Sequence, residues 1–194
     1  MRAFVDILSG VVIDPRRSAE KILSLRLGDL IVLQAALFVA ICSTILTYLF
    51  MQIIASRLTG TIDEPTLLIS DLLSYISSVQ PLYFTANQIF QMLVFSLIIT
   101  VGGKLFNGKG KFFEALLCIT MVEAVLIVLK VLQLALLPFS AVLAFIIVVP
   151  GLIWSLWAFA TTAALIHGFK STLVTFFGGV GLSILFFLSL NLFF

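Results

Sequence analysis

Residues 112–136 read FFEALLCITMVEAVLIVLKVLQLAL, and this stretch decides the fold. Its acids and bases are Glu114 at the start and Glu123 and Lys130 within. A bilayer core about 30 Å thick is crossed by about 20 apolar helical residues, each rising about 1.5 Å. The run is long enough for that, and it is continuous, without the alternating pattern of a barrel strand. It reads as a helix with lipid as its solvent.

Working outward, comparable runs lie at about 30–54, 82–103, 141–166 and 172–194. The second is interrupted in its outer half by Asn87, Gln88 and Gln91. The sequence therefore predicts an all-α, polytopic transmembrane helix bundle of five spans over 30–194, preceded by an amphipathic cytoplasmic-face segment over 1–29. Composition agrees. Hydrophobic residues make up 62% of the 194-residue chain and charged residues 10%, with a mean hydropathy of +1.27. Soluble domains carry about 25% charge, so a water-soluble enzyme or nucleic-acid binder is excluded. Arg16, Arg17, Glu20, Lys21 and Arg26 interrupt any signal-peptide core, so the amino terminus is expected to stay on the mature protein.

The charges give the orientation. Arg2, Arg16, Arg17, Lys21 and Arg26 precede the first run, Lys104, Lys109 and Lys111 join the second to the third, and Lys170 joins the fourth to the fifth. With five spans all of these share one side, while the other has Arg57 among Asp63, Glu64 and Asp71. Cytoplasmic loops are enriched in Lys and Arg, so the amino terminus is expected inside and the carboxyl terminus outside.

Two amphipathic pieces precede the first span. Phe4, Leu8, Val11 and Val12 share one helical face. Asp14 is a good N-cap and Pro15 suits the first helical position of a second helix. Its apolar stripe is Ala19, Ile22, Leu23 and Leu27, and such helices are expected at the headgroup level, drawn by anionic lipid. In the 55–81 connection, Leu68, Leu72, Tyr75, Ile76 and Val79 repeat at helical spacing, predicting a short interfacial helix in the first outer loop.

Candidate chemistry is sparse. Gly103 to Lys109 matches GxxxxGK, but Gly110 replaces the Ser or Thr that would hold magnesium, and the loop joins two membrane helices. It reads as a tight basic turn and not as a nucleotide site. Intramembrane charges usually face the bundle interior and mark function or a specific contact. Glu123 and Lys130 share a face of the third span, about 10 Å apart. Matching depths predicts a polar seam with the second span, Gln91 beside Glu123 and Asn87 or Gln88 beside Lys130. The seam could fix packing, with Lys130 snorkelling outward, carry a proton or substrate, or dock another subunit. His167, the single histidine, has no neighbouring ligand set, and Cys42 and Cys118 sit in apolar runs as packing residues. No catalytic, cofactor or metal residues are assigned. Small-residue stripes at Ala36, Ala40 and Thr44, at Ala160, Ala164 and Gly168, and at Gly178, Gly179 and Gly181 let helices approach closely. Pro150-Gly151 is expected to bend the fourth helix, with Trp154 and Trp157 as packing anchors.

Val12-Ile13-Asp14-Pro15-Arg16-Arg17-Ser18-Ala19 and Gly108-Lys109-Gly110-Lys111-Phe112-Phe113-Glu114-Ala115, together with five spans, resemble the Yip domain family. The chain lacks the long amino-terminal region and the Asp-Leu-Tyr-Gly-Pro stretch of the eukaryotic members, which act in vesicle trafficking, and is similar to a minimal prokaryotic version. Rab binding is not carried over. The resemblance implies a non-enzymatic membrane organiser in a bacterial inner (plasma) membrane.

The expected function is a scaffold or accessory subunit binding other membrane proteins or lipids. Its expected partners are anionic headgroups and another membrane protein or a second copy, with neither nucleic acid nor nucleotide. The basic membrane-facing surface is Arg16, Arg17, Lys21, Lys104, Lys109, Lys111 and Lys170. The rival is a small transporter or lipid-translocating protein using Asn87, Gln88, Gln91, Glu123 and Lys130.

Overall fold

A computed structural model describes residues 10–61, 70, 71, 74, 80–179 and 181. The named helices are α1 (Pro15–Ser24), α2 (Asp29–Thr61), α3 (Pro81–Leu105), α4 (Phe112–Leu136), α5 (Ala141–Ile146) and α6 (Val148–His167). Residues 10–13 and 172–179 are also helical, and no strand occurs among the described residues.

Four segments are long and apolar enough to cross a bilayer: Asp29–Arg57, Pro81–Leu105, Phe112–Leu136 and Val142–His167. They match the first four expected spans, and the fold is an all-α bundle of membrane-spanning helices. Most of the fifth expected span, and most of the expected 55–81 helix, lies outside the described residues. Arg57 on α2 donates to the Pro138 carbonyl beyond α4 at 3.2 Å, so these helices end on the same side. Lys104, Lys109, Lys111 and Lys170 lie exposed at the other, basic end.

The stretch that decides the fold is also its centre. Half of the α4 span is buried, against a third or less in the other three. One face carries Leu116 and Ile119 against Val32, Ala36 and Ala40 of α2 and Met92 of α3. Another carries Cys118, Val122 and Val125 in a core with Val11, Ala19, Ala158 and Ile166. With no water to receive them, several buried hydroxyls bond back within their own helices: Ser96 to Met92, Thr100 to Ser96, and Thr120 to Leu116. Ala36, Ala40 and Thr44 are all buried, as the small-residue stripe requires.

The bend in the fourth span falls one turn before the Pro-Gly pair. Helix α5 ends at Ile146 and α6 begins at Val148. Pro150 has no N–H for the Ile146 carbonyl and its ring crowds that oxygen, so the break lands at Ile146–Ile147. Pro150 then occupies the first turn of α6, where it is tolerated.

Helix α1 begins as its sequence dictates, with the Asp14 carboxylate accepting the Arg17 amide at 3.0 Å and Pro15 in the first turn. Replacing Asp14 by Ala is expected to cost about 1 kcal/mol, seen as faster hydrogen exchange across residues 16–24. Unchanged exchange there would mean that packing alone holds α1. Its surroundings differ from the interfacial expectation. The apolar stripe packs on α4 and α6, with Ala19 buried and Ile22 and Leu23 half-buried beside that core. Amphipathicity says that a face is covered, and here protein covers it.

Candidate functional site

Besides Arg57 and Pro138, three polar contacts among the described residues tie distant segments of the bundle together, each resting on a residue that the sequence makes unusual. The first is the lone histidine. His167 ends α6 and is buried. Gly168 follows at φ 73, and the Gly168 and Phe169 amides bond back to Leu165 and Ala164. This Schellman-type stop turns the chain at the basic end. The Gly110 amide donates to His167 Nδ1 at 3.2 Å, and Nε2 lies 3.0 Å from the Ile99 carbonyl. Because Nδ1 accepts, the proton sits on Nε2 and is donated to Ile99. The ring is thus a neutral imidazole with both nitrogens used, stacked on Phe169 at 5.4 Å.

The glycines of the GxxxxGK match are explained by this ring. A Cβ on Gly103 or Gly108 would overlap the imidazole, and one on Gly110 would stand 2.7 Å from Cε1. The left-handed residue of this turn is Asn107, at φ 60, and not a glycine. The Gly108 amide returns to Gly103 and that of Asn107 to Lys104, closing α3 with a second Schellman-type stop. These glycines are therefore present for space: they let the backbone of the α3–α4 loop lie against a side chain from α6. Glu114 then fixes the start of α4 by accepting the Lys111 amide at 3.0 Å.

The second contact lies in the membrane-spanning region. Lys130 Nζ donates to Ser43 Oγ at 2.6 Å, joining α4 to α2. The expected partners, Asn87 and Gln88 of α3, do not receive it. Asn87 and Gln91 are exposed, and Gln88 and Glu123 are half-buried. Among the described residues the ammonium is therefore held on the α2 side of α4, and the expected seam toward α3 does not form at Lys130. Helical side chains lean toward the amino end, which on α4 is the basic end, so Lys130 reaches back into the bundle. Close by in sequence, Thr44 is buried with its hydroxyl unpartnered, as is Thr161 of α6.

The third contact is Trp154 Nε1 of α6 donating to the Val12 carbonyl at 2.9 Å. Trp154 was expected to be an anchor, and what it anchors is the segment before α1. It lies 13 residues before His167, or about 20 Å along the helix. Leu27 lies two residues before α2 begins at the basic end, and packs on the core that Leu116 of α4 shares with Val32 of α2. Helix α1 therefore climbs from mid-bundle depth to that end, with Asp14, Arg16, Arg17, Glu20 and Lys21 exposed along it. A charge at the centre of a membrane helix costs about 2.5–3.5 kcal/mol on insertion scales, so this face has to meet water, headgroups or another polar surface.

Among the described residues no cluster of His, Cys, Asp and Glu is placed to hold a metal ion. Cys42 and Cys118 are free thiols, the latter buried in the core.

The family model for the Yip1 domain matches residues 9–193, nearly the whole chain. No curated protein and no solved structure matches.

Proposed function

The chain belongs to the Yip1 domain family, and from that premise we propose that it is a non-enzymatic scaffold or accessory subunit of the membrane. In this reading it binds other membrane proteins and lipids through its bundle surface and its basic end. The observation that carries the reading is where the polar side chains go. His167, Lys130 and Trp154 each join one segment to another within the chain, a use that suits a rigid framework. What faces outward at one end is cationic: Lys104, Lys109, Lys111 and Lys170. By the bias of Lys and Arg toward the cytoplasm, that end is read as the inner side of a bacterial plasma membrane.

Purification of the tagged protein in mild detergent, followed by mass spectrometry, tests this. A membrane protein recovered in fixed stoichiometry is expected, lost when Lys104, Lys109 and Lys111 are changed to Glu. Recovery of the chain alone, with a solute flux in vesicles that Glu123→Gln abolishes, would replace the scaffold reading with transport through the membrane-spanning region.

A further inference from the structure

We propose that the charged face of α1 seats anionic phospholipid headgroups below the surrounding membrane surface, thinning one leaflet along this side of the bundle. The inference deepens the lipid-binding part of the scaffold reading and names its ligand as the phospholipid phosphate.

Depth is the first support. The Val12 carbonyl is fixed at the level of Trp154, about 20 Å from the basic end of α6. Arg17 follows five residues later and Lys21 nine. Arg17 is in the first turn of α1, just past the Asp14 cap, and Lys21 stands four residues, about 6 Å, further along that helix toward the basic end. Arg17 thus starts well beneath the level of His167, Gly103 and Gly110. An Arg side chain extends toward the interface by snorkelling, and phosphates drawn inward meet it over the remaining distance.

Charge is the second support. Asp14 is occupied as the cap of α1, and Arg16 pairs with Glu20 at 3.6 Å. Among the described residues Arg17 and Lys21 carry no ion pair. They lie four residues apart and so share a face of α1, and Ile13, just before the Asp14 cap, is 79% exposed. The unpaired charge on this face of α1 is therefore positive, and Arg26, two residues beyond the helix, is also exposed. Phosphate answers that charge, and the Arg fork suits its oxygens. The apolar side of α1 is already committed to α4 and α6, and among the described residues the charged side is exposed, with lipid as its proposed neighbour.

The test uses the full chain with Cys42 and Cys118 replaced by Ala, spin-labelled at Ile13→Cys or, for comparison, at Ile153→Cys. Ile153 is exposed on α6 at nearly the height of Trp154. Each protein is reconstituted in phosphatidylcholine, with and without phosphatidylglycerol, and relaxation by a water-soluble nickel chelate is compared with that by oxygen. Nickel access several-fold greater at Ile13 than at Ile153 is expected with phosphatidylglycerol present. It should fall to the Ile153 level in Arg17→Gln/Lys21→Gln, whose exposed changes leave size-exclusion and circular-dichroism profiles intact. Equal access at both sites overturns the proposal. So does high access that ignores the double substitution and the lipid, which would indicate a water-filled cleft. Protection of Ile13 from both nickel and oxygen would indicate a protein partner or second copy and also overturns it. None of these outcomes depends on whether a partner co-purifies.

Discussion

Gly103→Ala should destabilise the protein by about 3 kcal/mol or more, and His167→Ala in the same chain should remove most of that penalty. The added methyl overlaps the imidazole, and overpacking a filled site costs about 1–3 kcal/mol before any bond is lost. The ring has no cheap retreat. Moving it breaks the Gly110 bond to Nδ1 and the Nε2 bond to Ile99, each worth about 1 kcal/mol. His167→Ala alone also costs stability, because the Gly110 amide loses its acceptor. The double variant has room for the methyl and loses the ring only once, so the two effects must be strongly non-additive. Thermal unfolding in detergent across the four-protein cycle measures this. Additive losses would show that Gly103 and His167 do not share a site.

The second large effect is a contrast between two halves of one contact. Ser43→Ala is expected to cost about 2 kcal/mol, since it removes a hydrogen bond to a charged group and leaves an ammonium in the membrane-spanning region. Lys130→Met, which removes the charge itself, should fall within about 1 kcal/mol of the parent. The asymmetry follows from what each partner can do alone. A serine hydroxyl in a helix can turn to the carbonyl four residues back, whereas the ammonium has no such backbone acceptor within its own helix and loses the hydrogen bond outright. Ser43→Ala/Lys130→Met should therefore recover most of the Ser43→Ala loss. If Ser43→Ala proved neutral while Glu123→Gln was costly, Lys130 would be held by Glu123 and not by Ser43.

Which parts of this architecture can be read from sequence follows from the physics of each signal. The first four spans are legible because a bilayer imposes a length and an apolar composition on each element separately. The cap at Asp14 is local for the same reason. The bend shows the reach of a local rule: Pro150 is visible, but its missing N–H acts on the carbonyl four residues earlier, so the break falls before the proline. Matching of depths fails for Lys130, because it fixes how far along the bundle a partner lies and not which helix supplies it. Ser43 on α2 sits at a suitable height as well as residues of α3, and sequence adjacency favours the wrong neighbour. His167 and its glycines stand 57 residues or more apart, beyond any periodic signal. The surplus of glycine was the available clue. A helix stop asks for one left-handed residue, and Asn107 fills that post; Gly103, Gly108 and Gly110 had to be answering something bulky. The charged α1 face was legible as charge, but its depth emerges only from the Trp154 contact.

That contact also imposes an order on biogenesis. Val12 and Trp154 are 142 residues apart, and synthesis at about 5–20 residues per second puts roughly 7–28 s between their emergence. The first described segment to leave the ribosome thus has no docking surface until α4 and the whole of α6 have followed. During that interval α1 must stay soluble enough not to aggregate and apolar enough not to drift away. An amphipathic helix resting at the membrane surface meets both demands. The charged stripe that is awkward in the finished bundle is what lets the segment wait there, and the contact closes when α1, made early, swings in against α6, made more than a hundred residues later.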